Sequence, residues 1–454
     1  MTAAIRTEKD TKTLGTAPVG GLLWRFSVPA VFAVLVGMIY NMTDRYFFSQ
    51  YVEMEGMAGL AVSTPLFMIA IAIEVMTGIG GNALFSIRLG QKRNQDAERV
   101  LCNTFLLQIF LGAAYATIAL AFLPQILKAL GASERVMPYA MDYMKLIVIG
   151  APFNIIGYGM NNFIRSSGHP FRAMSNTVIG AVLNGVLDWL FMSKFGWGAA
   201  GAGLATMISM IATCALVMSH FLRPGVPIRL RREYLRPDFG IIANVAKYGI
   251  SPFILHIAFV INGYVMNTMI LGHGGDMEIS AFAIVNSVVL CCALPALGIT
   301  QGMQPISGYN FGAKQYDRVR RVVLLALVAT TSWITLCWSV AQLAPHKIVG
   351  VFADAHAAPA LHETAVHMLR IDAAILPLIG AIYTAGAFLL STGKVARSIT
   401  LSISRQLVFL LPLLLVLPGI YGLDGVLWAL VLGDVLGFAL AVAFLTVEMR
   451  RMKE

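Results

Sequence analysis

Gly302-Met-Gln-Pro-Ile-Ser-Gly-Tyr-Asn-Phe-Gly-Ala-Lys314 has a counterpart earlier in the chain, Gly81-Asn-Ala-Leu-Phe-Ser-Ile-Arg-Leu-Gly-Gln-Lys92. With one gap, Gly81 falls on Gly302, Ser86 on Ser307, Gly90 on Gly312 and Lys92 on Lys314. Working outward, the register holds. Ser166-Ser-Gly168 matches Ser391-Thr-Gly393, Arg172 matches Arg397, and Gly198 and Gly201 match Gly422 and Gly425. The offset stays between 221 and 225 throughout, so the chain repeats by halves.

Each half carries six long apolar stretches. The twelve run roughly over 21–48, 57–86, 100–125, 137–163, 171–194, 197–222, 241–271, 279–308, 320–343, 364–391, 396–418 and 424–447. A bilayer core takes about 20 apolar residues per helix, so each stretch is long enough to cross. Six crossings return the chain to its starting side, so the second half enters with the same orientation as the first. The expected fold is an all-α polytopic membrane protein. Its twelve transmembrane helices form two six-helix lobes related by a parallel pseudo-two-fold repeat. The lobes are expected at 1–222 and 241–454, joined by a basic cytoplasmic linker at 223–240.

Composition agrees. Of 454 residues, 58% are hydrophobic and only 12% charged, about half the ~25% of a soluble protein. A soluble enzyme or a disordered chain is excluded. The net charge of +10 would suggest nucleic acid in a soluble protein, but here it sorts by loop. Of the 33 lysines and arginines, 24 lie on one side and 4 (Lys128, Arg135, Lys194, Lys347) on the other. Basic loops stay cytoplasmic, so both termini are expected inside the cell, with the chain in the inner membrane. The partners expected are the lipid bilayer and small organic cations or drugs, with no nucleic acid, and the protein acting as a monomer. The five cysteines all sit in apolar stretches and read as small buried hydrophobes. There is no G-x-x-x-x-G-K-[ST], H-E-x-x-H or G-x-S-x-G. No enzyme activity and no cofactor is expected, and transport energy would have to come from an H⁺ or Na⁺ gradient.

A charge at the bilayer centre costs at least ~2.5–3.5 kcal/mol, so each one asks for a function. The acids inside spans are Asp44, Glu74, Asp188, Asp372 and Asp434. Counting from the outer loops at ~1.5 Å per residue, Asp44, Asn184, Asp188 and Thr206 all lie roughly 9–15 Å deep. Asn184 and Asp188 are four apart and share a helix face, with Thr177 nearly on it. Two carboxylates with an amide and a hydroxyl make an all-oxygen set. Such a set suits a hard cation such as Na⁺; two close carboxylates would equally hold a proton. No metal beyond Na⁺ at that site is expected. A structural polar cluster tying helices together is the bland alternative. In the second half, Arg405 is expected to neutralise Asp372 or Asp434 as an ion pair. Candidate substrate-cavity residues are Tyr40, Asn41, Met42, Glu74, Met76, Asn154, Thr177, His256, Met266, Gln301 and Met303.

These residues carry a family resemblance. Tyr40-Asn-Met-Thr-Asp44-Arg-Tyr-Phe resembles the first-span signature of multidrug and toxic compound extrusion (MATE) transporters, prokaryotic type. Gln301 to Lys314 is similar to their eighth-span segment. Asn184-Gly-Val-Leu-Asp188 with Gly198-Ala-Ala-Gly201-Ala-Gly203 resembles their fifth and sixth spans. The resemblance covers essentially the whole chain. It implies a cation-coupled multidrug efflux antiporter working by alternating access, with Asp44, Asn184, Asp188 and Thr206 as the coupling-cation site. Some members also use an acid in span seven, but 241–271 contains no Asp or Glu. Arg45, next to Asp44, could pair with it. A lipid-linked oligosaccharide flippase of the same superfamily is the alternative, but its cavity would need more arginines than Arg45, Arg370 and Arg405. A non-transporting scaffold would leave the acidic cluster unexplained.

Overall fold

The computed structural model describes residues 13–223, 226, 228–353, 355 and 357–452. The fold is helical, and its long helices follow the apolar stretches. They are α1 (Val19–Tyr51), α2 (Met54–Gly90), α3 (Asn94–Ala121), α4 (Met137–Ser166), α5 (Pro170–Asp188), α6 (Gly198–Leu222), α7 (Phe239–His273), α8 (Asp276–Gly312), α9 (Tyr316–Leu343), α10 (Pro359–Ser391), α11 (Val395–Val416) and α12 (Pro418–Arg451). Eleven of these are long and apolar enough to cross a membrane. The twelfth, α5, runs 19 residues and continues as a six-residue π turn, Trp189–Lys194. It misses that measure because its buried face carries Asn176, Asn184 and Asp188.

The repeat read from sequence returns as backbone geometry. Lys92 and Lys314 both adopt left-handed conformations, at φ 60° and 58°. A side chain costs about 1–3 kcal/mol there, so the same turn is held against strain in both halves. Gly168 and Gly393 share positive φ, as do Gly198 and Gly422, where glycine accepts it without that cost.

Contacts group the chain into two compact units. The first gathers Phe32–Phe253 with Gly308–Lys314; the second gathers Val19–Val31, Ile254–Ser307 and the chain from Gln315 onward. The seams fall inside α1, α7 and α8. In the first unit, a Cβ on Gly80 of α2 would lie 2.5 Å from the Gly249 backbone of α7. In the second, a Cβ on Gly302 of α8 would lie 2.7 Å from the Ser27 backbone of α1. Only glycine lets these helices approach so closely. Residues 90 and 312 touch reciprocally within the first unit. A Cβ on Gly90 would meet the Tyr309 carbonyl, and one on Gly312 would meet the Ile87 carbonyl. Gly90 and Gly312 are repeat mates, and each meets a carbonyl of the other's helix, as a pseudo-two-fold relation of the halves requires.

Pro29, Pro65, Pro152, Pro252, Pro295 and Pro305 lie inside helices. Each removes one helix hydrogen bond. In α10, Asp372 ends one segment, a tight turn covers Ala373–Ile375, and Pro377 opens the next. The Trp338 indole N–H donates to the Ala374 carbonyl at 3.2 Å, satisfying backbone at that break.

Candidate cation-binding site

In α5, Asn176, Gly180, Asn184 and Asp188 recur every four residues and are all buried. This is one helix face, and it packs on α6. Gly180 permits the approach, since a Cβ there would sit 2.2 Å from the Thr213 hydroxyl. α1 approaches α5 as well, with Thr43 placed 3.8 Å from a Cβ on Gly185. The helices thus bring Asp44, Asn184, Asp188 and Thr206 together within the first unit. The depth count from sequence had placed these four at one level.

Asn184 and Asp188 are fully buried and Thr206 nearly so. With its amide nitrogen facing Asp188, Asn184 donates to the Oδ2 carboxylate oxygen at 2.8 Å. Its carbonyl then accepts from the Thr206 hydroxyl at 3.2 Å and the Thr206 N–H at 3.3 Å. Each polar atom of the amide is used, as burial demands. The two acids differ. Oδ1 of Asp188 and Oδ1 of Asp44 are both buried without a hydrogen-bond partner. Asp44 lies within electrostatic reach of Asp188, and both act on the hydroxyls of Tyr40 and Tyr143. Arg45 is exposed and forms no ion pair with Asp44 among the described residues. Two orphaned carboxylate oxygens facing one neighbourhood are costly. A cation or a proton between them would remove that cost.

One turn beyond Asp44, Phe48 is fully buried and meets Tyr143 edge-on at 5.6 Å. Phe48, Met192, Ala199 and Ala202 form an apolar cluster over that end of the site. Tyr143 was missed from sequence, because a tyrosine amid apolar residues looks like ordinary packing. The π turn starting at Trp189, directly after Asp188, was also missed; such turns recur at functional sites.

The other candidates scatter. Tyr40 stands beside the acids, whereas Asn41 turns its amide onto the Gly37 carbonyl of its own helix at 2.8 Å. Met42 is exposed and Met76 half-buried. Glu74 is buried and accepts a hydrogen bond from Asn154 of α4, so it ties α2 to α4. Thr177 bonds to Asn161 and to the Ala173 carbonyl, in the α4–α5 seam. His256 and Gln301 are half-buried. Met266 and Met303 are packed inside the second unit.

The second half answers the site with different chemistry. At an offset of 222, Tyr40 corresponds to Asn262 and Asp44 to Met266; at the offset of 225 that pairs Arg172 with Arg397, Asn184 corresponds to Phe409 and Asp188 to Leu413. Asn262 donates to the Gln406 side-chain carbonyl at 2.7 Å, while its own carbonyl oxygen is buried without a partner. Met266 and Leu413 share one apolar cluster. The charges lie elsewhere. Arg405 Nε meets Asp434 Oδ1 at 2.8 Å, and the guanidinium sits 5.9 Å from the Tyr383 ring centroid. Of the two expected partners, Arg405 takes Asp434. Asp372 is within electrostatic reach of Asp434 but forms no ion pair with Arg405 among the described residues.

The MatE family model matches residues 29–190 and 252–416. The chain belongs to the MATE transporter family. The structure of the MATE multidrug transporter DinF-BH in complex with R6G is 34% identical, with a TM-score of 0.87 over 95% of this chain and 96% of that one. A multidrug resistance MATE family transporter in an outward-facing conformation shares the fold, with a TM-score of 0.91 at 21% identity over 97% and 98% of the two chains. Multidrug export protein MepA of Staphylococcus aureus strain NCTC 8325 is 26% identical over 92% of this chain and 91% of its own length. The expected family and two-lobe helical fold are borne out, and the chain is a multi-pass membrane transporter.

Proposed function

We propose that this MATE transporter is a cation-coupled antiporter that exports amphipathic organic cations. The observation that carries the reading is the pair of buried, unpartnered oxygens on Asp44 and Asp188, with Asn184 linking Asp188 to Thr206. A proton or Na⁺ entering down its gradient neutralises the pair. A drug cation competes for the same negative neighbourhood. Coupling follows when ion and drug favour different conformations. Relatives named for multidrug export, and one solved with R6G, support the substrate class. The apolar exchange of Asp44 for Met266 and Asp188 for Leu413 supports placing coupling in the first half alone. The basic-loop pattern supports both termini in the cytoplasm; an inner-membrane monomer with lobes at 1–222 and 241–454 completes the reading.

The test is dye efflux from proteoliposomes with a pH or a Na⁺ gradient imposed singly. One gradient should drive efflux by the unaltered protein. Asp188→Asn, which keeps an oxygen for Asn184, should fold normally and lose gradient-driven efflux. Full efflux by this variant would overturn the reading.

A further inference from the structure

Between α9 and α10 the chain forms a short helix, Pro345–Gly350, which packs on the start of α10. His346 stands in its first turn, and His362 and Glu363 in the first turns of α10. None of the three belongs to the acid cluster, and all lie in the second unit. One donor atom from each lies within 4.8 Å of the others. His346 Nδ1 is already 3.7 Å from Glu363 Oε1. His362 is buried, and its Nδ1 sits 3.0 Å from the Ala353 carbonyl oxygen. That contact places the proton on Nδ1 and leaves the Nε2 lone pair as the donor. Metal-bound histidines are held in this way, with one ring N–H given to a carbonyl. His346 and Glu363 are 53% and 70% exposed, so an ion can reach the cluster and both side chains can adjust.

We propose that His346, His362 and Glu363 bind a borderline transition-metal ion of the Zn²⁺ class, with water as the fourth ligand. The donor set decides the class. Two imidazoles and one carboxylate suit Zn²⁺, whereas Mg²⁺ and Ca²⁺ want oxygen ligands alone. The geometry is close to what is needed. Ligands at about 2.0–2.1 Å in a tetrahedron stand roughly 3.3–3.5 Å apart. The His346–Glu363 pair is near this separation, and the two imidazole rings lie 5.6 Å apart centre to centre. A turn of the half-exposed His346 side chain closes the remainder. A bound ion ties the short helix to the start of α10, the helix that leads to the break at Asp372. A screened surface contact between His346 and Glu363 would not require the buried His362 to bring a ring nitrogen to the same point.

The experiment uses the full chain in detergent, stripped with chelator after its purification tag is removed. Equilibrium dialysis against Zn²⁺ in excess Mg²⁺, followed by metal analysis, should find one Zn²⁺ per chain. His346→Ala and Glu363→Gln alter exposed side chains, so folding should survive, and each should weaken binding at least tenfold. Co²⁺ in place of Zn²⁺ should give the intense visible spectrum of a tetrahedral site, absent in His346→Ala. Zn²⁺ should also raise the unfolding temperature of the unaltered protein but not of His346→Ala. Failure of the unaltered protein to retain Zn²⁺, or equal binding by both variants, would overturn the proposal.

Discussion

Replacing Arg405 with alanine is expected to destabilise the protein by about 3–5 kcal/mol, the range for removing one partner of a buried ion pair. The side chains of Arg405 and Asp434 are only 12% and 21% exposed, with the charges 2.8 Å apart. The ~0–1 kcal/mol of an exposed pair therefore does not apply. The surroundings make the loss asymmetric. Without Arg405, Asp434 is left with Asp372 in electrostatic reach and, among the described residues, no other cation in ion-pair contact with either. Without Asp434, Arg405 keeps the Tyr383 ring. Arg405→Ala should therefore fall at the upper end of the range and Asp434→Ala at the lower end. The double replacement by leucine should cost less than the sum of the single losses, because no charge remains uncompensated. Thermal unfolding in detergent, followed by loss of the monodisperse peak, reads the difference. For Arg405→Ala a fall on the order of 10 °C is expected. A fall of a degree or two, or equal losses for the two single variants, would refute the assignment of this pair as a buried tie between α11 and α12.

The remaining predictions concern the first unit and, at Gly21, the start of α1. Asp188→Leu removes the oxygen that accepts from Asn184 and should cost about 1–3 kcal/mol more than Asp188→Asn; equal unfolding temperatures would contradict the bridge. Gly312→Ala would place a Cβ 2.1 Å from the Ile87 carbonyl oxygen, against backbone that cannot rotate away, and should abolish monodisperse protein. Gly21→Ala meets nothing within 4 Å and should be neutral or stabilise by about 0.5–1 kcal/mol, as the same chromatography would report. Glu98 is buried and accepts from the Arg229 N–H at 3.3 Å and from Arg231 Nε at 2.6 Å. Glu98→Gln should loosen the basic linker and speed tryptic cleavage there; unchanged cleavage kinetics would mean the linker is held by other contacts.

The repeat was legible because it rests on residues with few substitutes. Gly90 and Gly312 stand where a Cβ would strike a carbonyl, and Gly168, Gly198, Gly393 and Gly422 hold left-handed turns. The acid cluster was legible for an energetic reason, since a carboxylate in a membrane needs a purpose. Its aromatic wall was not. Tyr143 and Phe48 look in sequence like any residue of an apolar helix, and only the helix crossings bring them to the acids. Periodicity tells which face a residue shares, not which helix it meets. Thr177 illustrates this, for it lies near the Asp188 face in α5 yet bonds to Asn161 of α4.

The two halves carry the same backbone and different chemistry, and the comparison bears on mechanism. Turns at Lys92 and Lys314 superpose in conformation, so a duplicated scaffold can present residues at equivalent points in each half. At those points one half offers Asp44 and Asp188, with oxygens left unpaired in the interior. The other offers Met266 and Leu413, packed into one apolar cluster. A fold that required buried carboxylates at these points for stability alone would need them in both halves. The second half holds its helices with methionine and leucine there, so packing does not demand the acids. Their retention in only one half, at an energetic cost that a bound cation or proton would relieve, is what an ion-coupling site predicts and a purely structural cluster does not.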